Sequence, residues 1–223
     1  MKAKRPPPFF IADNPGLDFL NSVAVPEDTK VDWLASGEDL LRWLKQAGLV
    51  PGDVLNAFRK DALPGELDGV GAQARALRDW FKPFVYKYMG RPIGPEAMSK
   101  LELLNQILAR DEEFEQIAIH RRRYDRDTHG PKKTRTSNFA LRRLRRWHSP
   151  ASLLIPLAQS LADLVCTEDF TNIKACKGPD CELLFVDRTR DRSRKSCSAL
   201  SCRNRAQRTP LRRLAQRVKK RSY

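Results

Sequence analysis

Four of the five cysteines in this chain of 223 residues form two pairs near its C-terminal end. Cys176 and Cys181 make one C-x₄-C pair, Cys197 and Cys202 make the other, and 15 residues separate the two pairs. Structural zinc is held tetrahedrally by four side chains, and two pairs of thiolates on short loops supply that number. The spacing therefore predicts one structural zinc ion, with ordinary thiols or two disulfides as the alternatives.

The residues around these cysteines fit a small zinc module. Gly178-Pro179 supplies the tight turn that the first pair needs, and Leu183 to Val186 are predicted to form a short buried strand. Because four thiolates close the coordination shell, a catalytic zinc with an open water position is not expected. The fifth cysteine, Cys166, follows the apolar face of a predicted helix and is expected to be a small buried residue.

The cellular compartment bears on the choice between metal ligation and disulfides. The basic residues between Met1 and Pro8 are not followed by the apolar stretch of a secretory signal. No stretch is predicted to reach the roughly 18 apolar residues of a membrane span. These features predict a cytoplasmic protein without a membrane partner, and clustered cysteines in a reducing cytoplasm favour metal binding.

Apolar residues recur at helical spacing along most of the chain before the cysteines. Predicted helices cover residues around 40–47, 54–58, 71–89, 96–109 and 149–164. Pro83 is expected to kink or end the third of them. Residues 114–124 and 134–147 are predicted to form a β-hairpin, although the leucines of the second segment also fit a helix. The fold class is therefore mainly α with a small β component (α+β).

A change in composition near residues 168–174 marks the predicted domain boundary. Residues 1–170 are predicted to be a helical domain, and residues 171–223 a treble-clef-like or ribbon-like zinc module. The module is expected to end in a basic helix that begins at Thr209-Pro210 and carries an apolar stripe on one side.

The positive charge is concentrated in two segments. The formal net charge is +15, of which residues 174–223 contribute +12 and residues 120–146 contribute +9, leaving −6 for the remaining residues. Arginine outnumbers lysine in the tail, and arginine donates two hydrogen bonds to phosphate or to guanine edges. This asymmetry favours a nucleic-acid surface over a merely solvated one or a protein contact. The segment 120–146 either extends that surface or faces the acidic body.

The cysteine-rich segment resembles the CGNR zinc finger. The likeness rests on the four cysteines and on Pro179-Asp180, Leu184-Phe185-Val186-Asp187, Arg194, Ser198 and Arg203-Asn204-Arg205. Two positions depart from the family pattern: Arg203 stands where the signature has Gly, and Ser196 stands where Trp often precedes the third cysteine. The missing Gly changes how closely the backbone can approach a phosphate, while Arg203 adds a donor.

The N-terminal residues resemble the ABATE domain, which precedes this finger in stress-induced bacterial transcription regulators. The likeness rests on Leu17-Asp18-Phe19-Leu20-Asn21, Asp32-Trp33-Leu34 and a helix that ends at Gly48-Leu49. The resemblance implies that the finger binds DNA, that its four cysteines bind zinc, and that the N-terminal domain senses a ligand or partner. Asn21 is the candidate ligand-binding residue, with a helix or turn cap as the alternative. Candidate nucleic-acid contacts are Arg203, Asn204 and Arg205 at the signature and Arg208, Arg212 and Arg213 beyond it.

These observations predict a zinc-dependent transcription regulator that binds double-stranded DNA mainly through phosphates. An RNA- or ribosome-associated zinc-binding protein is the alternative, although aromatic residues for base stacking are scarce in the tail. The three histidines, His120, His129 and His148, belong to no catalytic motif, so an enzyme is not expected. A symmetric homodimer would suit paired DNA half-sites.

Overall fold

The computed structural model describes residues 5–26, 29–119, 139–198 and 202. Its helices are α1 (Pro15–Leu20), α2 (Gly37–Ala47), α3 (Gly52–Asp61), α4 (Glu66–Tyr88), α5 (Glu102–Leu108) and α6 (Leu154–Thr167). Short 3₁₀ helices span Pro95–Lys100, Pro150–Leu153 and Phe170–Asn172. The strands pair antiparallel as β1 (Val23–Ala24) with β2 (Val31–Asp32), β3 (Glu113–Ile119) with β4 (Phe139–Arg145), and β5 (Ile173–Ala175) with β6 (Leu184–Val186). The predicted α+β class is confirmed, while the predicted C-terminal basic helix lies outside the described residues.

Local signals set the ends of α2. The Ser36 hydroxyl accepts a hydrogen bond from the amide of Asp39 and caps the N-terminus. At the other end Gly48 takes the left-handed conformation, with φ of 68°, that lets its amide bond back to the last turn. The predicted apolar face of this helix is buried, and its residues Leu40, Leu41 and Leu44 pack in the main core.

Helix α4 continues past Pro83 to Tyr88, so this proline does not end it. Proline removes one backbone hydrogen bond, but packing on both sides of it holds the helix together. Phe81 stacks on Phe84 with ring centroids 5.1 Å apart, and Phe84 lies 4.7 Å from Tyr88. All three aromatic side chains are buried, and tertiary packing therefore outweighs the local cost of the proline.

Helix α6 lies at the centre of the core and packs on α1, α4 and α5. Gly16 permits the close approach of α1, since a Cβ at this position would lie 2.5 Å from the main-chain oxygen of Ser160. Pro150–Thr167 is long and apolar enough, by length and composition, to cross a membrane. The expectation that no stretch reaches this length is therefore corrected. Half of this segment is buried, and its leucines fill the protein core.

The β3–β4 hairpin confirms the strand prediction for the middle segment over the helical alternative. Its register pairs Phe114 with Leu144 and Ile117 with Leu141. The base of the hairpin is fixed by Arg145, which donates to Asp111 Oδ1 and Oδ2 at 2.6 and 2.7 Å and to Gln159 Oε1 of α6 at 2.9 Å.

A buried ion pair fixes the strand β2 against helix α4. Arg78 is 2% exposed and donates to both carboxylate oxygens of Asp32, at 2.8 and 3.0 Å, and to the Ser22 hydroxyl. Burial alone would raise the pKa of Asp32, but the hydrogen bonds from Arg78 and from the Leu34 amide, together with the charges of Arg78 and Arg75, outweigh burial and lower that pKa. The pair gives Asp32, the first residue of the Asp32-Trp33-Leu34 motif, a structural role.

Asp18 gives the stability of the fold a defined pH dependence. Its buried carboxylate accepts from the amides of Ile11 and Ala12 through one oxygen, and burial raises its pKa from 3.8 to about 6. A pKa that is raised on folding means that the charged form disfavours the native state, so the free energy of unfolding falls as pH rises between about 4 and 6.

We therefore expect Asp18→Asn, which keeps the accepting oxygen, to gain stability relative to the native chain as pH increases. The difference between the two free energies of unfolding should grow by about 1 kcal/mol from pH 5 to pH 7.5. Urea titrations at both pH values measure it, and a difference independent of pH would contradict a raised pKa at Asp18.

Candidate zinc centre

The sulfur atoms of Cys176, Cys181, Cys197 and Cys202 all lie within 4.8 Å of one another. The Sγ atoms of Cys176 and Cys202 are 3.5 Å apart, and those of Cys181 and Cys197 are 3.8 Å apart. Four sulfurs at about 2.3 Å from a zinc ion form a tetrahedron with edges of about 3.8 Å. None of the four forms a disulfide. The predicted ligands thus converge on one site that fits a single structural zinc ion.

The atoms around the sulfurs also suit a metal-bound cluster. The amides of Gly178 and Cys197 donate to the Sγ of Cys176 at 3.3 and 3.2 Å, which stabilises negative charge on a ligating thiolate. Gly178 is required here because a Cβ at this position would collide with the Sγ of Cys202. The Gly-Pro turn predicted from the sequence therefore serves both the loop and the space beside the ion.

Two thiols of this cluster, those of Cys181 and Cys202, resist ionisation. The hydrogen bond with Cys197 and burial both raise the pKa of the Cys181 thiol. Burial and the hydrogen bond with Cys176 raise the pKa of Cys202 in the same direction. Several thiolates in one small volume repel one another, and a divalent ion relieves this repulsion by binding them.

Strand β6 joins the zinc cluster to the core of the helical body. Leu184 and Val186 point to one side of the strand and belong to the main hydrophobic core. Leu183 and Phe185 point to the other side and pack with the cysteines. The predicted buried strand is confirmed, and the structure adds that it is buried on both faces.

Asn21 connects the end of α1 to this strand. Its amide nitrogen donates to the carbonyl of Leu184 at 2.8 Å, and its side-chain oxygen accepts from the amide of Leu184 at 2.9 Å. The side chain is 1% exposed. A primary amide reproduces in this way the two hydrogen bonds of a paired β-strand, and it fixes the zinc module at one register on the body.

Asp187, directly after β6, organises the loop that leads to the third cysteine. Its carboxylate accepts from Lys174 Nζ at 2.6 Å, from the amide and hydroxyl of Thr189, and from the amide of Arg194 at 3.0 Å. Burial alone would raise the pKa of Asp187, but these donors outweigh it and hold the pKa well below its usual range. Arg194 in turn lies over the Phe185 ring, 4.3 Å from its centroid. The roles of Asp187 and Lys174 were not predicted, since their partners are set by loop folding.

Further contacts join the zinc module to the body. Arg188 pairs with Glu168 at 2.6 Å, and the Tyr86 hydroxyl donates to the carbonyl of Glu182 at 3.2 Å. The amide of Val186 donates to the carbonyl of Ala12 at 3.2 Å. Each contact joins residues on opposite sides of residue 170, so the β5–β6 hairpin packs against the body. The domain boundary at residue 170 stays a prediction.

The remaining predicted site residues divide into three groups. Arg203, Asn204, Arg205, Arg208, Arg212 and Arg213 lie outside the described residues, and their contact with nucleic acid stays a prediction. A ligand-binding role for Asn21 also stays a prediction, and the contacts of its side chain are those with Leu184. Cys166 is exposed rather than buried, because Leu161 and Leu164 take the core face of α6 and a residue two positions further lies about 200° around the helix.

The basic middle segment is partly neutralised where the structure describes it. Arg145 binds Asp111 and Glu113, and Arg146 lies 3.8 Å from Glu112. Both roles predicted for residues 120–146 stay open, since these pairs lie at the base of the hairpin and the Arg143 side chain is 69% exposed. Residues 120–138 lie outside the described ranges.

A closed set of four thiols joined to a helical body defines a zinc-binding protein of two adjoining parts, and two family models match these parts. Residues 13–168 match ABATE, described as "Putative stress-induced transcription regulator", and residues 172–214 match the CGNR zinc finger. Since the first match covers well over half of the 223 residues, the chain belongs to the ABATE family. Both resemblances drawn from the sequence are confirmed. No curated protein matches the chain.

We expect the purified chain to carry one zinc ion and Cys197→Ser to carry almost none, because three thiolates leave the shell open. Metal content measured by plasma mass spectrometry and far-UV circular dichroism after chelation would show this. Cys166→Ser, which changes a cysteine outside the cluster, should keep the ion. A Cys197→Ser protein with a full equivalent of zinc would contradict the assignment.

Replacing Asn21 by alanine should lower the free energy of unfolding by about 2–4 kcal/mol, since it leaves two buried main-chain groups of Leu184 without partners. Amides of β5 and β6 should exchange with solvent faster in this variant, as measured by hydrogen–deuterium exchange. The control is Asn56→Ala, which removes an exposed amide that bonds Arg59. Equal free energies of unfolding for the two variants would show that the hydrogen bonds between Asn21 and Leu184 do not stabilise the contact between the zinc module and the body.

Proposed function

We propose that this protein is a zinc-dependent transcription regulator that binds double-stranded DNA through its C-terminal finger. The observation that carries the proposal is the four-thiol cluster, which stands directly before a tail rich in arginine. A structural zinc ion would fix the backbone on which Arg203, Asn204 and Arg205 follow the fourth ligand. The match of residues 13–168 to a family of transcription regulators, and of residues 172–214 to a zinc finger, supports the same proposal.

The charge distribution supports a polyanionic partner. Residues 192–223 contain no acidic residue, and the last 50 residues of the chain carry a balance of +12. Each arginine or lysine that neutralises a phosphate releases bound counterions, which supplies affinity that is independent of sequence. Sequence preference would then come from the few side chains that reach base edges.

The helical body is proposed to sense a ligand or partner and to transmit its state to the finger. Asn21 and both faces of β6 provide a direct physical link between the two parts. A change in the position of α1 would act on the hairpin that carries the first cysteine pair. The proposed location is the cytoplasm, where the thiols stay reduced.

Structured RNA is the second candidate partner, and the described residues disfavour recognition of single strands. Such recognition uses exposed aromatic rings on which bases stack. Phe185, the aromatic residue of the described part of the finger, is fully buried beside the cysteines. The closed thiolate shell also supports a regulatory rather than a catalytic role.

Binding to a labelled DNA duplex should weaken steeply with salt. We expect the combined variant Arg208→Ala, Arg212→Ala and Arg213→Ala to reduce the slope of log affinity against log salt by about 2–3, because three phosphate contacts are lost. Fluorescence anisotropy at several salt concentrations measures the slope.

A matched control and a competitor make this experiment decisive. Arg42→Ala with Arg59→Ala removes two arginines that pair with acids on the body, and it should leave the slope unchanged. Stronger competition by structured RNA than by duplex DNA would favour the second candidate. An affinity that hardly changes with salt would overturn both.

A further inference from the structure

Most basic side chains in the described part of the zinc module are already paired with an acid. Residues 174–198 contain seven basic residues, and four of them lie within ion-pair distance of a carboxylate. Three of these four acids precede residue 170, so the arginines that bind them attach the module to the helical body. The pairs are Lys174 with Asp187 at 2.6 Å, Arg188 with Glu168 at 2.6 Å, Arg192 with Asp169 at 3.6 Å and Arg194 with Asp13 at 3.7 Å.

Two exposed lysines of this module stand side by side with their charges unbalanced. Lys177 and Lys195 are both exposed, and neither has an acid within ion-pair distance among the described residues. The amide of Lys177 donates to the carbonyl of Lys195 at 2.9 Å, which places the two residues next to each other. We call them the lysine pair. Its two charges are available to an anionic partner.

The lysine pair is anchored to the zinc cluster. Lys177 directly follows Cys176, and Lys195 precedes Cys197 by two residues. The amide of Cys197 donates to the Sγ of Cys176 at 3.2 Å, and the Sγ of Cys202 lies 3.5 Å from the same sulfur. The basic tail begins at the next residue of the chain. Because metal ligands hold the backbone of both lysines, binding a partner requires little further ordering of that backbone.

The other side of the zinc site is occupied by the helical body. Glu182, the residue after Cys181, accepts from the Tyr86 hydroxyl through its carbonyl at 3.2 Å. Its carboxylate lies 3.5 Å from Lys82 Nζ of the same helix, α4. Asp180, in the same turn as Lys177, is exposed and forms no ion pair with either lysine among the described residues. Two lysines against this one acid leave the turn with a net positive charge.

We propose that the lysine pair, Lys177 and Lys195, contacts the phosphate backbone of duplex DNA. This inference rests on the proposed function, and it adds a contact that lies outside the arginine-rich tail. Lysine is a flexible point charge that suits a phosphate better than a base edge. The pair therefore supplies affinity that is independent of sequence, and it determines which side of the zinc site faces the duplex.

The test measures the salt dependence of binding with the zinc-loaded full chain. In fluorescence anisotropy with a labelled duplex, Lys177→Gln combined with Lys195→Gln should reduce the slope of log affinity against log salt by about 2, because two phosphate contacts are lost. The reduction should be the same on two duplexes of unrelated sequence. Lys177→Arg combined with Lys195→Arg keeps both charges and should retain the native slope.

A matched control separates contact from net charge. Lys45→Gln combined with Lys60→Gln removes the same two charges from exposed positions on the body, and it should leave the slope unchanged. One equivalent of zinc in every variant would show that the cluster is intact. A native slope in the Lys177 and Lys195 glutamine variant, or an equal reduction in the body variant, would overturn this inference alone. A native chain that does not bind the duplex at any salt concentration would overturn the proposed function as well.

A second measurement needs no substitution. Bound duplex should protect Lys177 and Lys195 from acetylation by an N-hydroxysuccinimide ester, while Lys45 and Lys60 should react equally with and without DNA. Mass spectrometry of the digested protein reads the modification at each lysine. Full reactivity of Lys177 and Lys195 in the complex with DNA would contradict the contact.

Discussion

The C-terminal part of this protein depends on four cysteine sulfurs that share one cation. Within 4.8 Å of one another, thiolates repel strongly, and burial adds to the cost of ionising Cys181 and Cys202. A zinc ion that binds all four thiolates removes that repulsion. The amides of Gly178 and Cys197 stabilise the negative charge on the Cys176 sulfur. The absence of a Cβ at Gly178 leaves room for the Cys202 sulfur.

The same cluster is part of the helical body through one short strand. Side chains alternate along β6, so that Leu184 and Val186 enter the main core while Leu183 and Phe185 cover the cysteines. Asn21 fixes the register of the strand with two hydrogen bonds. Strand β6 and Asn21 are therefore the contacts on which the proposed coupling of the two parts rests.

Much of the fold could be predicted from the chain because its signals are local. The apolar period and the Gly48 cap predicted α2, the alternation of Ile117 and Ile119 predicted the hairpin, and the cysteine spacing predicted the metal ligands. Pro83 and Cys166 show where local rules fail. Helix α4 continues past Pro83 because its aromatic side chains pack in the core. Cys166 is exposed because its position on α6 faces away from the core.

The sequence by itself determined the metal, the family and the concentration of charge, because ligand type, ligand spacing and net charge need no coordinates. Only the tertiary structure decided what Asn21 and Asp187 do. The partner of Asn21 lies 163 residues away, and those of Asp187 are set by a folded loop, and no periodic pattern encodes contacts of that kind. Side-chain amides and carboxylates take their roles from the groups that folding brings to them.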